Sequence, residues 1–99
     1  KERDGPIVWG AGKTGRRIAK HLQRGGCMPE AFIDIAPGKI GGMLRGKPVI
    51  EPDDLPRWWR HYERPILLVA VASRGARQLI RDHLAGLQLA EGIDYLCIA

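Results

Sequence analysis

The residues with the plainest chemistry are the glycines of Gly10-Ala11-Gly12-Lys13-Thr14-Gly15, which fit the spacing G-x-G-x-x-G. They follow a short apolar run, Ile7-Val8-Trp9, and open a stretch of helical period. In that setting each glycine has a physical use. Gly10 permits a tight turn, Gly12 leaves room for a diphosphate against the backbone, and Gly15 lets a helix pack close to a strand. The first amides of the helix and the positive end of its dipole then face the anion, with Lys13 and Thr14 as further contacts from the first turn. Asp34 stands nineteen residues after Gly15, where a carboxylate accepts hydrogen bonds from ribose hydroxyls and repels a 2′-phosphate. Ser73 and Arg74 follow the longest apolar run and are expected across a crevice from the glycines, Arg74 meeting a phosphate or sugar-acid charge and Arg77 standing one turn farther on.

Other chemistries fit poorly. A Walker A loop ending at Lys13-Thr14 would need glycine at position 7, which is Ile7, so an NTPase is excluded. Cys27 and Cys97 form no C-x-x-C pair and have no histidine at ligand spacing; they read as packing residues, and no metal site is expected. His21, His61 and His83 are scattered, no Ser-His-Asp or Cys-His set converges, and no catalytic residue is assigned.

The elements that must position these groups follow from hydrophobic period. Gly15, Ile18, Ala19 and Leu22 share one face of a helix, which Gly25-Gly26 ends. Ala31–Asp34 reads as a second strand, 35–47 as a glycine-rich loop, and Pro48-Val49-Ile50 as a minimal third strand. Asp53 is the expected N-cap of a helix carrying Leu55, Trp58, Trp59 and Tyr62, with Pro56 in its first turn. The continuous apolar run Ile66–Ala72 reads as a parallel strand covered on both faces. A helix with Ala76, Leu79, Ile80, Leu84 and Leu87 inward and a last strand at 95–98 complete the chain. The alternation predicts an α/β fold in three layers, α/β/α, around a five-stranded parallel sheet of order 3-2-1-4-5.

At 99 residues and 11.0 kDa the chain is expected to be one domain, 1–99. It begins with Lys1, so a piece of a longer protein is expected. Apolar residues are 44% and charged residues 27%, which excludes disordered and collagen-like classes. No run reaches the ~20 apolar residues of a bilayer span, and no charged start followed by an apolar stretch suggests a signal peptide. The cysteine usage fits a reducing compartment, so a cytoplasmic location is expected. The net charge of +5 favours anionic partners. The basic residues of 13–24 read as a solvated helix face, and Trp58, Trp59 and Tyr62 as packing rather than a base-stacking platform; no nucleic-acid module is present.

Gly10-Ala11-Gly12 with Gly15, Phe32-Ile33-Asp34-Ile35-Ala36-Pro37, Gly46-Lys47-Pro48-Val49-Ile50 with Asp54-Leu55, and the helix containing Arg77 together resemble a known group of domains. These are the Rossmann-like nucleotide-sugar-binding domains that precede the catalytic part of bacterial sugar acyltransferases. Val8 to Arg16 and Glu91-Gly92-Ile93-Asp94-Tyr95 are similar to C-terminal domains of some bacterial family-two glycosyltransferases. Ala36 and Ser73-Arg74-Gly75 depart from the acyltransferase pattern, so the resemblance carries over to Gly10, Gly12, Gly15 and Asp34. It implies an accessory nucleotide- or nucleotide-sugar-binding module of a larger bacterial sugar-transfer enzyme, glycosyltransferase-associated and partnered by the catalytic domain of its parent chain. The ligand is left open between a nucleotide sugar and NAD. Two alternatives stand beside it: the NAD-binding part of an oxidoreductase, and an interaction domain that keeps the fold without the ligand.

Overall fold

The computed structural model describes residues 5–98; the expected span of 1–99 reaches beyond them at both ends. The elements run β1 (Ile7–Trp9), α1 (Lys13–Arg24), β2 (Ala31–Ile33), β3 (Met43–Leu44), β4 (Lys47–Ile50), a 3-10 turn at Pro52–Asp54, α2 (Leu55–Trp59), β5 (Leu67–Val69), α3 (Arg74–Gly86) and β6 (Tyr95–Cys97). They form a mixed α/β structure around one six-stranded sheet of order β3-β4-β2-β1-β5-β6. Val8 lies between Phe32 and Leu68, and this parallel register sets the centre of the sheet.

Count and order differ from the expected five strands because of β3. It lies inside the stretch read as loop and pairs antiparallel with β4, Met43 opposite Pro48 and Leu44 opposite Lys47. The two residues between them, Arg45 and Gly46, both have positive φ, 51° and 80°, the geometry of a type I′ hairpin turn. Two-residue strands carry no period to read, and Arg-Gly lacks the asparagine or aspartate that usually marks such a turn.

Two further boundaries move. The expected strand Ile66–Ala72 is a ladder only over Leu67–Val69, since its neighbour β1 ends where Gly10 turns away with φ 127°. The expected helix through Tyr62 is α-helical only over Leu55–Trp59. Asp53 is not its N-cap: it lies within the 3-10 turn, and neither Glu51 before that turn nor Asp54 before α2 caps with its side chain. Past Trp59 the chain tightens, His61 N–H donating to Trp58 and Tyr62 N–H to Trp59, and Pro65 disfavours helix at the residue before it. Tyr62 still packs on the core with Trp58 and Trp59.

Alternation along the short strands divides the interior in two. Ile7, Trp9, Ala31, Ile33, Leu67 and Val69 face α2 and α3, meeting Leu55, Ile80 and Leu84. Val8, Phe32 and Val49 face α1, meeting Ala19 with Ile18 and Leu22. The apolar stripe read for α1 is therefore its packing face. α1 comes so near the end of β1 that a Cβ on Gly15 would run into the carbonyl oxygen of Gly10. Backbone cannot move aside as a side chain can. Gly15→Ala is expected to destabilise the domain by about 3 kcal/mol, whereas Gly12→Ala, whose Cβ would meet only the end of Lys39 at 3.3 Å, leaves the urea midpoint nearly unchanged.

Candidate functional site

The glycine bend is strapped from two sides. Gly10 N–H donates to the carbonyl of Ile33 at 2.7 Å, and Ala11 N–H donates to Asp34 Oδ2 at 3.0 Å. The other carboxylate oxygen accepts from Ala36 N–H at 2.9 Å, so Asp34 joins the loop after β1 to the loop after β2. Partial burial pushes its carboxyl up, but the amides of Ala36 and Ala11 and the nearby Lys39 ammonium outweigh that and hold it below the ordinary aspartate range. The group is an anion at neutral pH.

α1 starts beside it with Gly12 as N-cap, which has no side chain to cap the first amides, and none of the described residues supplies one. The first turn contains no acid. An uncapped helix start of this kind attracts an anion. Lys39, on the loop after β2, brings its ammonium to 3.3 Å from where a Gly12 side chain would begin.

These groups open on a cavity of about 530 Å³ outside the carboxyl ends of the central strands. Gly10, Gly12, Lys13, Thr14, Gly15 and Asp34 all line it. Its other walls are mostly apolar: Trp9, Ile35, Pro52, Ala70–Ala72, Ala76, Leu79 and Ile80, with His83. Size and lining suit a small organic ligand with one charged end. Ile35 is 74% exposed and Leu79 72% exposed, so both present apolar surface at the cavity.

Ser73 and Arg74 do not line this cavity. Ser73 is the N-cap of α3, its hydroxyl accepting from Ala76 N–H at 3.4 Å, and Arg74 is exposed. The crevice is bounded on that side by Ala72 and Ala76. Sequence reasoning missed Lys39, hidden in a loop without period, and Leu79, assigned to the core though it lies on the flank of the inward face of α3. It also missed His83, whose ring meets Trp9 edge-on at 5.7 Å and whose Nε2 is buried without a hydrogen-bond partner among the described residues.

The fold has close counterparts among solved structures. UDP-D-quinovosamine 4-dehydrogenase from Vibrio fischeri superposes with a TM-score of 0.81 at 26% identity, over 99% of this chain and 80% of that one. A Rex-family repressor gives 0.71 at 21% identity over 91% of this chain and 44% of its own, and its complex with β-NADH gives 0.68 at 21% over 90% and 44%. The Rex likeness is one of fold, and the chain spans less than half of that protein. No protein-family model and no curated protein sequence matches the chain. The fold is Rossmann-like. The resemblance to sugar acyltransferase and glycosyltransferase domains is not shown by these comparisons, and among the described residues no helix is long and apolar enough to cross a membrane.

The Asp34 strap has a pH signature. A carboxyl whose folded pKa lies below its unfolded value contributes stability that is complete above the unfolded pKa and lost as pH falls through the folded one. Asp34→Ala is expected to lose about 1–3 kcal/mol at pH 7, a difference that shrinks below about pH 4. Urea titrations of both proteins at pH 7, 4 and 2.5 measure it; a gap unchanged across that range contradicts the account.

Proposed function

We propose that the chain binds an NAD-type dinucleotide through its ADP half, as the dinucleotide-holding part of an oxidoreductase. The observation that carries this reading is the convergence, in one cavity, of the uncapped start of α1, the bare backbone at Gly12 and the ionised Asp34. The first-turn amides with Lys13, Thr14 and Lys39 receive the diphosphate, and Asp34 accepts from the ribose hydroxyls on lone pairs that the two amides leave free. The base lies in the apolar slot between Ile35 and Leu79, over Val71 and Ala72. Asp34 disfavours a 2′-phosphate, so NAD is preferred to NADP.

The nicotinamide supplies hydride transfer when bound; the residues of this chain bind and orient. Likeness to a UDP-sugar dehydrogenase supports an oxidoreductase over the sugar-transfer role implied by sequence resemblance, and the similarly folded Rex-family repressor is a protein crystallised with β-NADH. Isothermal titration tests the reading with NAD+, NADH, NADP+ and UDP-N-acetylglucosamine in parallel. NAD+ and NADH are expected to bind, NADP+ at least tenfold more weakly. Gly12→Val, whose branched side chain occupies the diphosphate position, is expected to weaken NADH at least tenfold with little change in melting temperature. Tighter binding of the UDP-sugar than of NADH would reassign the cavity to a sugar nucleotide, and no heat with any ligand at millimolar concentration would remove the nucleotide reading.

A further inference from the structure

The inner end of the cavity holds a group that the binding mode proposed above leaves unused. Ala76, Leu79, Ile80 and His83 stand at i, i+3, i+4 and i+7 on α3 and form one wall of the cavity, about 10 Å long. Because α3 returns the chain from the end of β5 to the start of the parallel β6, this wall runs from the crevice back along the sheet. Of the four side chains only His83 is polar. Its ring stands edge-on to Trp9, with centroids 5.7 Å apart and 74° between the planes, and its Nε2 is buried with no hydrogen-bond partner among the described residues.

Packing does not call for an imidazole here. An aliphatic side chain of similar size would meet Trp9 and Ile80 on the same wall without leaving a polar atom unpaired, an omission that costs stability. Buried polar groups nearly always have a partner, and for His83 the open space on offer is the cavity that it lines. The torsion that turns a histidine ring is broad and soft, so Nε2 swings toward the slot without any movement of α3. We infer that His83 is the specificity-determining residue for the base: its Nε2 pairs with the edge of an adenine held between Ile35 and Leu79. This rests on the dinucleotide reading above and adds to it the residue that recognises the base.

The chemistry of the slot selects adenine among the bases. Ile35, Val71, Ala72 and Leu79 have no side-chain hydrogen bonds to give, so every polar group that a base brings between them must be met elsewhere or go unpaired. Adenine has two such groups on its pairing edge, the acceptor N1 and the 6-amino donor, whereas uracil, cytosine and guanine each have three. One imidazole therefore leaves least unsatisfied when the base is adenine. Acceptor and donor also lie side by side on that edge, so a ring nitrogen finds a partner whichever tautomer it belongs to. A UDP-sugar would bring uracil to the same place, with more polar groups than the wall can pair.

Titration calorimetry of the purified chain with NADH, ADP and UDP, joined to NMR of the imidazole nitrogens, tests the inference. ADP is expected to bind at least tenfold more tightly than UDP. His83→Leu should weaken NADH and ADP by the same factor, at least fivefold, with the melting temperature unchanged or raised, because it removes an unpaired polar atom from the free protein. His83→Gln, which keeps an amide near the position of Nε2, should bind both within threefold of the unaltered chain. In long-range proton–nitrogen spectra of the unaltered chain, the ring nitrogens of His83 are expected to shift on addition of ADP while those of the exposed His21 and His61 stay in place. ADP binding unaffected by His83→Leu, a loss for NADH that ADP does not share, equal affinity for ADP and UDP, or a lowered melting temperature together with unmoved His83 nitrogens would each overturn the inference and leave dinucleotide binding standing. No binding of NADH or ADP to the unaltered chain would instead remove that reading and the inference with it.

Discussion

The contact on which the site depends is one of backbone against backbone, the approach of α1 at Gly15 to the carbonyl of Gly10. It brings the start of the helix over the end of β1, so that the first turn, whose amides helix geometry leaves unbonded, borders the crevice. The bend would not hold by sterics alone. Ile33 and Asp34 tie it to β2, and the carboxylate proposed above for a ribose is the same group that fixes the loop beside it.

Much of this could be read from residue order, because the site is built by local sequence at strand ends. Gly10, Gly12, Gly15 and Asp34 line one cavity because a strand, a bend and a helix of fixed spacing permit little else. Where several unconnected segments meet, the reading failed. The side of the crevice expected to carry Ser73 and Arg74 is formed by Ala72 and Ala76, since Ser73 serves instead to begin α3. Leu79 follows the helical period of its apolar neighbours yet faces solvent at the mouth of the cavity, a distinction that depends on where the sheet ends. Lys39 is brought to Gly12 by a turn at Ala36–Lys39 that hydrophobic pattern does not register. β3 escaped for a related reason, a hairpin too short to have a period.

The two faces of the sheet are put to different uses. Toward α2 and α3 lie the large aromatics, the deeper core and the apolar wall of the cavity. Toward α1 lie Phe32 and a set of small or aliphatic residues, and the exposed surface of α1 carries five cations and no acid. Lys13 stands where these surfaces meet, in the first turn that borders the cavity and at the head of the basic stripe.

The strand order also governs how the chain reaches this shape. Val8 pairs with Leu68, sixty positions along the chain, and each parallel pairing in the sheet joins segments far apart in the chain. Closing such loops consumes chain entropy before any contact rewards it, so assembly of the central strands is the slow event. The Arg45–Gly46 hairpin is the exception, able to close within microseconds, but it sits at the rim, where it cannot template the middle. The pairing of β1 with its two neighbours is therefore the long-range step of the fold, and the glycine bend, tied to Ile33 and Asp34, depends on it.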